Sequence, residues 1–324
     1  MRITNQMMVS SLIENIHANL RALDRTNQQA ATGKRFSQPS EDPVGTARSM
    51  SLRHSIAENE KYINNVDEGD GWMSATDLAL DQVTNLMQRA RQIAVAGANG
   101  TNTKTEFDAY AKELDQIIRN VVQSGNTMHD GRYLFGGYKT TTEPFKIFPD
   151  AANPTMVGVV RYEPGVPDTS NIDYEISQGT TLTVNITGDS LFTSAGPPAA
   201  PPPLPGVGNK VLDSLIRLRQ HLSDAGNNVP GALGNISTDL TEVDAALENL
   251  TMKRSEVGAK VNRLEDTKSR LLDLKTNFDK LLSLNEDADM AQVAMDLGMQ
   301  EAVYRAALDA GARIIQPSLM DFLR

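Results

Sequence analysis

Apolar residues near the N-terminus recur at alternating steps of four and three positions. A helix is expected over residues 4–32, and its apolar series is Val9, Ile13, Ile16, Leu20 and Leu23. This spacing is typical of a narrow coiled-coil seam and not of the broad apolar face of a globular helix. Such a helix would be roughly 40 Å long. Gly33 and the proline-containing turn at 37–45 are expected to end it.

The C-terminal end of the chain repeats this rhythm. A helix that starts at Met290 and is stopped by Pro317 carries the series Ala294, Leu297, Tyr304, Leu308 and Ile315. A proline inside a helix costs about 3 kcal/mol, so it usually marks a helix end. We predict that these five residues and the five of the N-terminal seam form an assembly interface.

Four further helices are expected between the two ends, over residues 44–97, 106–124, 209–225 and 238–284. The last of them keeps a near-heptad spacing of apolar side chains, namely Val257, Val261, Leu264, Leu271, Leu274, Phe278 and Leu281. A sustained repeat of this kind is typical of helices packed in a long bundle.

Proline and strand patterns place a different structure in the middle of the chain. Eleven of the fifteen prolines lie between Pro144 and Pro205, and the segments VGVVRY, NIDYEI and TTLTVNIT alternate β-branched and polar residues. The run 197–205 is expected to be a stiff connector. The predicted fold is therefore mainly α: a long coiled-coil-like bundle from both terminal regions, with a small inserted β domain. The predicted segments are 1–42, 43–137, 138–206, 207–284 and 285–324.

Two terminal helices with narrow seams cannot bury much surface by themselves, because isolated helices are marginal in water. Two arrangements follow: the helices pair tightly with each other, or they stay loose until copies of the chain assemble. We favour the second, in which ordering is coupled to assembly. Residues 1–42 carry five basic and four acidic groups and residues 285–324 carry three and seven, which mildly favours pairing.

Composition excludes several classes of protein. A formal charge of -10 argues against a nucleic-acid binder, which needs a basic face. The chain has no cysteine, and therefore no disulfide or thiolate site. No stretch has the roughly 20 apolar residues that cross a bilayer, and we expect no membrane insertion. The N-terminus is amphipathic and does not resemble a cleaved signal peptide.

No motif for catalysis, a cofactor or a metal is recognised. The four histidines are scattered and are expected to be exposed or capping residues. The acidic group Glu286, Asp287 and Asp289 is expected at a helix start, where negative charge opposes the helix dipole favourably. Trp72 is expected to be a core or interface anchor, and Asn185 begins an N-glycosylation triplet that also arises by chance.

Three segments carry a resemblance to a known family. Their sequences are ATGKRFSQPSEDPVGTARSMSLR at 31–53, EVGAKVNRLEDTKSRL at 256–271 and QPSLMDFL at 316–323, and they resemble the N- and C-terminal regions of bacterial flagellins. Within that family, the opening MRITNQMM, the segment DGRYLFGGYKTTTEPF and the ending PSLMDFLR are more similar to hook–filament junction subunits than to filament subunits.

The resemblance implies a structural protein of the bacterial flagellum, with no enzymatic activity. Terminal helices would form the inner layer of a hollow tube, and the insert would face outward. Implied partners are other copies in a ring, the first hook-associated junction protein, flagellin and an export chaperone that binds the C-terminal helix. The subunit would be secreted without a cleaved signal peptide and would be extracellular. The alternatives are filament flagellin itself and a non-flagellar coiled-coil scaffold.

Overall fold

The computed structural model describes residues 5–149, 156–162, 170–192 and 210–322. Part of the predicted insert, including the proline run 197–205, lies outside these ranges. The described helices are α1 (Asn5–Thr32), α2 (Pro43–Gly97), α3 (Lys104–Gly125), α4 (Gly188–Leu191), α5 (Val211–Gly226), α6 (Ala232–Glu286) and α7 (Met290–Phe322). The strands are β1 (Met128–His129), β2 (Arg132–Tyr133), β3 (Phe145–Pro149), β4 (Val157–Tyr162), β5 (Asp173–Ser177) and β6 (Thr180–Thr183).

The mainly α fold with a small β insert, predicted from the sequence, is confirmed. Local signals account for where several helices begin. Asp42 caps α2 by accepting the Gly45 N–H at 2.8 Å, and Pro43 takes the first helical position, where its missing N–H costs nothing. Thr103 and Glu106 form a capping box at the start of α3.

Two helix boundaries differ from the prediction by more than two residues. Helix α6 begins at Ala232, two turns before the expected residue 238, because Gly231 takes a positive φ of 84° and ends the preceding turn there. Helix α7 continues through Pro317 to Phe322, so the expected stop at this proline is wrong. A proline removes one backbone hydrogen bond, and the helix beyond it is little more than one turn long.

The strands form three separate antiparallel hairpins, β1–β2, β3–β4 and β5–β6. Strand β4 matches the predicted VGVVRY segment, whereas β3 and the two-residue strands β1 and β2 were not predicted. The β1–β2 turn places Asp130 and Gly131 at positive φ, 48° and 74°, which suits a tight hairpin. Strand β6 ends at Thr183, short of the predicted TTLTVNIT run.

The chain divides into two compact units. We call Met1–Glu60 with Asp273–Arg324 the terminal unit, and Lys61–Leu272 the central unit. Helices α2 and α6 contribute residues to both. The division into two units is coarser than the five segments predicted from the sequence. Those five segments therefore stay a prediction.

The central unit has one continuous apolar core. Two heptad rows are buried in it, Val66, Met73, Leu80, Met87 and Ala94 on α2 and Ile236, Val243, Leu250, Val257, Leu264 and Leu271 on α6. Ion pairs join the same two helices beside these rows, for example Lys268–Asp67 at 2.8 Å and Arg91–Asp244 at 2.5 Å. Trp72 is buried in this core, as expected.

The β3–β4 and β5–β6 hairpins share that core. Phe145 of β3 and Phe192 are fully buried with ring centroids 5.0 Å apart. Helix α3 packs on α5, and the β3–β4 hairpin contacts both helices. Gly69 of α2 lets Val184 approach closely, because a Cβ at Gly69 would lie 3.3 Å from the Val184 Cγ1. The insert is thus packed into the central unit.

Candidate assembly surface

Glu286, the last residue of α6, fixes the turn that follows α1. Its carboxylate accepts hydrogen bonds from Lys34 Nζ at 2.5 Å and from Arg53 Nη2 at 2.6 and 2.9 Å. Its backbone carbonyl accepts the Arg35 N–H at 2.7 Å, and the Ala288 N–H donates to the Gly33 carbonyl at 2.8 Å. These contacts join residues that are more than 230 positions apart in the sequence.

The charge of Glu286 is stabilised by its two partners. The pKa of Glu286 lies below its usual value, first because Arg53 donates hydrogen bonds to the carboxylate and further because Lys34 does the same. The expected helix-start role of the acidic group holds for Asp289, whose Oδ1 accepts the Ala291 N–H at 2.9 Å just before α7. It does not hold for Glu286, because that residue closes α6.

Helices α1 and α7 pack against each other in the terminal unit. They run antiparallel, since Gly33 at the end of α1 bonds Ala288 before α7, while Leu12 and Ile16 lie beside Gly311. A Cβ at Gly311 would lie 3.1 Å from Leu12 Cδ2, so this glycine permits close approach. The sequence allowed two arrangements, helices that pair tightly and helices that stay loose until copies assemble. In the structure, the two helices are paired.

The predicted seam residues divide into two groups. Half-buried side chains are those of Val9, Ile16, Leu23, Leu297 and Tyr304. Exposed ones are those of Ile13, Leu20, Ala294 and Leu308. Ile315 lies within α7, but its side chain is outside the described part of the structure. That the ten residues form an interface between subunits stays a prediction.

The exposed seam residues lie on one side of the α1–α7 pair. Each residue advances about 100° around a helix, which places Ile13 and Leu20 on one flank of the stripe formed by Leu12, Ile16 and Leu23. Leu308 lies on the corresponding flank of α7, and in an antiparallel pair the two flanks face the same way. Ile13, Leu20 and Leu308 are 48%, 44% and 44% exposed, so this flank is an apolar surface open to solvent.

A second apolar surface was not recognised from the sequence. Met295, Met299 and Val303 are spaced four residues apart on α7, are exposed, and point away from the stripe of Leu297 and Tyr304. Their i, i+4, i+8 spacing was visible in the sequence. The sequence prediction followed the four-three series on the neighbouring face of the helix, and therefore did not include these three residues.

The terminal unit buries little of its apolar surface. Among its described side chains, only two large apolar ones are buried, Phe36 and Val293. Thirteen are exposed: Met7, Ile13, Leu20, Val44, Met50, Leu274, Leu281, Leu284, Met290, Met295, Met299, Val303 and Leu308. A compact unit that exposes many more apolar side chains than it buries is typical of a protein that binds other molecules through this surface.

The described residues offer little for chemistry. They contain no group of three His, Asp or Glu side chains that could hold a metal ion. His221, expected to be exposed or capping, instead contacts buried Asp239, with Nδ1 and Oδ2 2.6 Å apart, and links α5 to α6. Burial raises the pKa of Asp239.

Asn185, the start of the glycosylation triplet, is buried. Its side chain accepts the Ile172 N–H at 2.9 Å and donates to the Ser170 carbonyl at 2.9 Å. Among the helices of the described ranges, none is long and apolar enough to cross a membrane.

Comparison with known proteins gives a consistent assignment. The bacterial flagellin N-terminal helical region matches residues 3–140, and the bacterial flagellin C-terminal helical region matches residues 240–323. The chain is 26% identical to a protein of Salmonella typhimurium named flagellar hook-associated protein 3, over 95% of this chain and 96% of that protein. It is 23% identical to a flagellin of Bacillus subtilis over 90% of this chain and 89% of that one.

Solved structures show the same fold. A crystal structure of the flagellar junction protein FlgL from Legionella pneumophila superposes with a TM-score of 0.55 at 16% identity, and covers 73% of this chain and all of that one. Because the two flagellin regions together match more than two thirds of the residues, at the two ends where the resemblance was found, the chain belongs to the bacterial flagellin family.

Proposed function

We propose that this protein is a structural subunit of the bacterial flagellum that joins the hook-side junction ring to the flagellin filament. The observation that carries the proposal is the similarity to flagellar hook-associated protein 3, which extends along nearly the full length of both chains. Fold similarity to solved junction proteins supports it. Its role is mechanical, and no reaction is assigned to it.

The terminal unit supplies a physical reason for assembly. Its exposed apolar side chains gain stability when neighbouring subunits cover them, at about 25 cal/mol for each Å² removed from water. Different surfaces on opposite sides of one helix pair favour head-to-tail contacts, and such contacts build rings and helical assemblies. Contacts through the predicted seam residues would place α1 and α7 inside a tube.

The partners follow from this placement. Copies of the chain would meet in a ring, with the first hook-associated junction protein on one side and flagellin on the other. An export chaperone would cover α7 before secretion, when its apolar surface is exposed. The subunit would act at the extracellular part of the flagellum.

Deletion of the gene tests the function, with electron microscopy of the cells and an assay for flagellin in the medium. Bare hooks with flagellin shed into the medium are expected, because filament subunits would be exported with nothing to hold them. Loss of flagellin from both cells and medium would identify the chain as the filament protein itself. Intact filaments would contradict a flagellar role.

A further inference from the structure

The turn between α2 and α3 contains Asn99–Gly100, which is the one asparagine–glycine pair in the sequence. Both residues are exposed and lie beyond Gly97, the last residue of α2. The Asn99 N–H donates to the Ala96 carbonyl at 3.3 Å, whereas the Gly100 N–H donates to no acceptor in the described part of the chain. The backbone nitrogen of Gly100 is therefore available to react with the neighbouring side chain.

The reaction open to such a pair is deamidation of the asparagine. Glycine has no Cβ and few backbone restrictions, so its nitrogen reaches the preceding side chain with little hindrance. The Gly100 nitrogen loses its proton to solvent and forms a bond to Asn99 Cγ, while the bond from Cγ to the side-chain nitrogen breaks and ammonia leaves. Water then opens the cyclic imide at either carbonyl, which gives aspartate or isoaspartate without any oxidation or reduction.

Other sites in the chain are less suited to this cyclisation. Asp70–Gly71 lies in the interior of α2, where helical dihedral angles and the intrahelical hydrogen bond hold the glycine nitrogen away from the preceding side chain. Asn228 is exposed in the turn before α6, but it is followed by the β-branched Val229, whose side chain hinders the attack. The structure thus favours Asn99 over these positions.

Asn99 also takes part in the contacts that hold the end of α2. Asn102 Nδ2 donates to the Ala96 carbonyl at 2.6 Å and to the Asn99 carbonyl at 2.9 Å, and so binds carbonyls that the helix end leaves without intrahelical partners. Aspartate at position 99 would add negative charge at a helix C-terminus, where the helix dipole disfavours it. Isoaspartate would route the main chain through the side chain, so the Asn102 contacts could not keep their geometry.

We propose that Asn99–Gly100 is a site of spontaneous deamidation, which accumulates with the age of the subunit and loosens the turn between α2 and α3. Water is the only co-reactant. The turn is packed on the α5–α6 side of the central unit, since a Cβ at Gly100 would lie 3.8 Å from Leu233 Cδ1 and Lys104 Nζ donates to Asn227 Oδ1 at 3.3 Å. The loosening therefore affects this end of the helical bundle.

Incubation of the purified full-length protein at mildly alkaline pH tests the reaction, with peptide mass spectrometry and an isoaspartate-specific methyltransferase assay. Asn99 should convert at least about tenfold faster than Asn228, because a side chain on the next residue hinders the attack. Gly100→Ala is the matched variant: Gly100 has no positive φ, and the added Cβ would be in ordinary contact with Leu233, so the fold is kept while the reaction slows. Equal rates for Asn99 and Asn228, or for Asn99 in both proteins, would overturn the proposal.

Limited proteolysis measures the structural consequence. Aged wild type should be cut between residues 97 and 104 at least about tenfold faster than fresh protein, because cleavage follows local opening at exposed turns. Aged Gly100→Ala should keep the resistance of the fresh protein, and circular dichroism checks that it is folded. Equal cleavage of the two aged proteins would show that deamidation does not loosen the turn. Neither measurement depends on filament attachment, so the gene deletion tests the proposed function separately.

Discussion

At the scale of single residues, Glu286 decides how the terminal unit is held together. The carboxylate binds Lys34 from the turn and Arg53 from α2, and the backbone beside it binds the turn again. Only a small part of the Glu286 side chain is exposed, whereas Lys34 and Arg53 are about half exposed. Each ion pair therefore contributes little to stability by itself. The hydrogen bonds that two charged donors make to one buried carboxylate contribute more.

Replacement of Glu286 by glutamine should lower the stability of the terminal unit by about 1 kcal/mol near neutral pH. The pKa of Glu286 is depressed in the folded state, so its contribution is complete above the pKa of an unfolded glutamate and is lost as the pH falls through the folded value. Urea unfolding, followed at several pH values, should therefore show the variant and the wild type converging on acidification.

Glu301→Gln is the matched control for this measurement. Glu301 pairs with Arg305 on the surface of α7, where both side chains are at least half exposed. Its replacement should change stability by a few tenths of a kcal/mol at most. A difference between Glu286→Gln and the wild type that stayed constant down to strongly acidic pH would contradict the assigned role of the ion pairs.

At the scale of elements, the α1–α7 pair has residues with two distinct tasks. The half-buried stripe, which includes Ile16 and Leu297, lies between the two helices. Ile13, Leu20 and Leu308 are exposed on one flank, where we predict contacts with neighbouring subunits. Substitutions in the two groups should therefore differ in what they disrupt, although both should prevent assembly.

Ile13→Asp with Leu20→Asp should leave the monomer soluble and the helix pair intact, yet abolish filament attachment, because charge would be placed on a surface that must be desolvated. Ile16→Asp or Leu297→Asp should also leave the monomer soluble and abolish attachment, and should in addition loosen the pair. Complementation of the deletion strain measures attachment, and circular dichroism measures helix content. Ser11→Asp, on an exposed polar position of α1, is the control.

Normal filaments with the Ile13/Leu20 variant would show that this flank is not a contact. Normal filaments with Ile16→Asp and Leu297→Asp would count against the seam as a whole.

At the scale of the whole molecule, the two units bury very different amounts of apolar surface. The central unit has a continuous core that includes helices and β hairpins, whereas the terminal unit has two large buried apolar side chains among its described residues. Local opening costs little free energy where few apolar contacts are lost. The pairing of α1 and α7 is thus compatible with termini that become firmly ordered only on assembly.

Hydrogen exchange of the dilute monomer measures this difference. Amides of α1 and α7 should exchange at least about a hundredfold faster than those of α3 and of the buried row on α2. A local opening free energy that is lower by about 3 kcal/mol is sufficient for this difference in exchange rate. In assembled flagella, the terminal helices should become protected. Equal protection of the terminal and core helices in the monomer would refute coupling of order to assembly.

The sequence by itself determined the helices, the presence of a β insert and the family. Helical periodicity, capping residues and proline placement act over a few positions, so they can be recognised in a linear chain. The heptad row of α6 is an example: Val257, Leu264 and Leu271 were recognised in the sequence as part of a near-heptad series, and all three are buried. The segments at 31–53, 256–271 and 316–323 lie outside the insert, and their resemblance to flagellins was enough to indicate the family.

Only the tertiary structure decided which side of each seam faces a partner helix and which faces solvent. That division depends on the antiparallel register of α1 and α7, and the register depends on contacts such as Lys34–Glu286, between residues 252 positions apart. The packing of the insert into the central core and the contact between His221 and Asp239 that links α5 to α6 have the same origin. They arise where separate elements meet, and periodicity within one element contains no information about its neighbour.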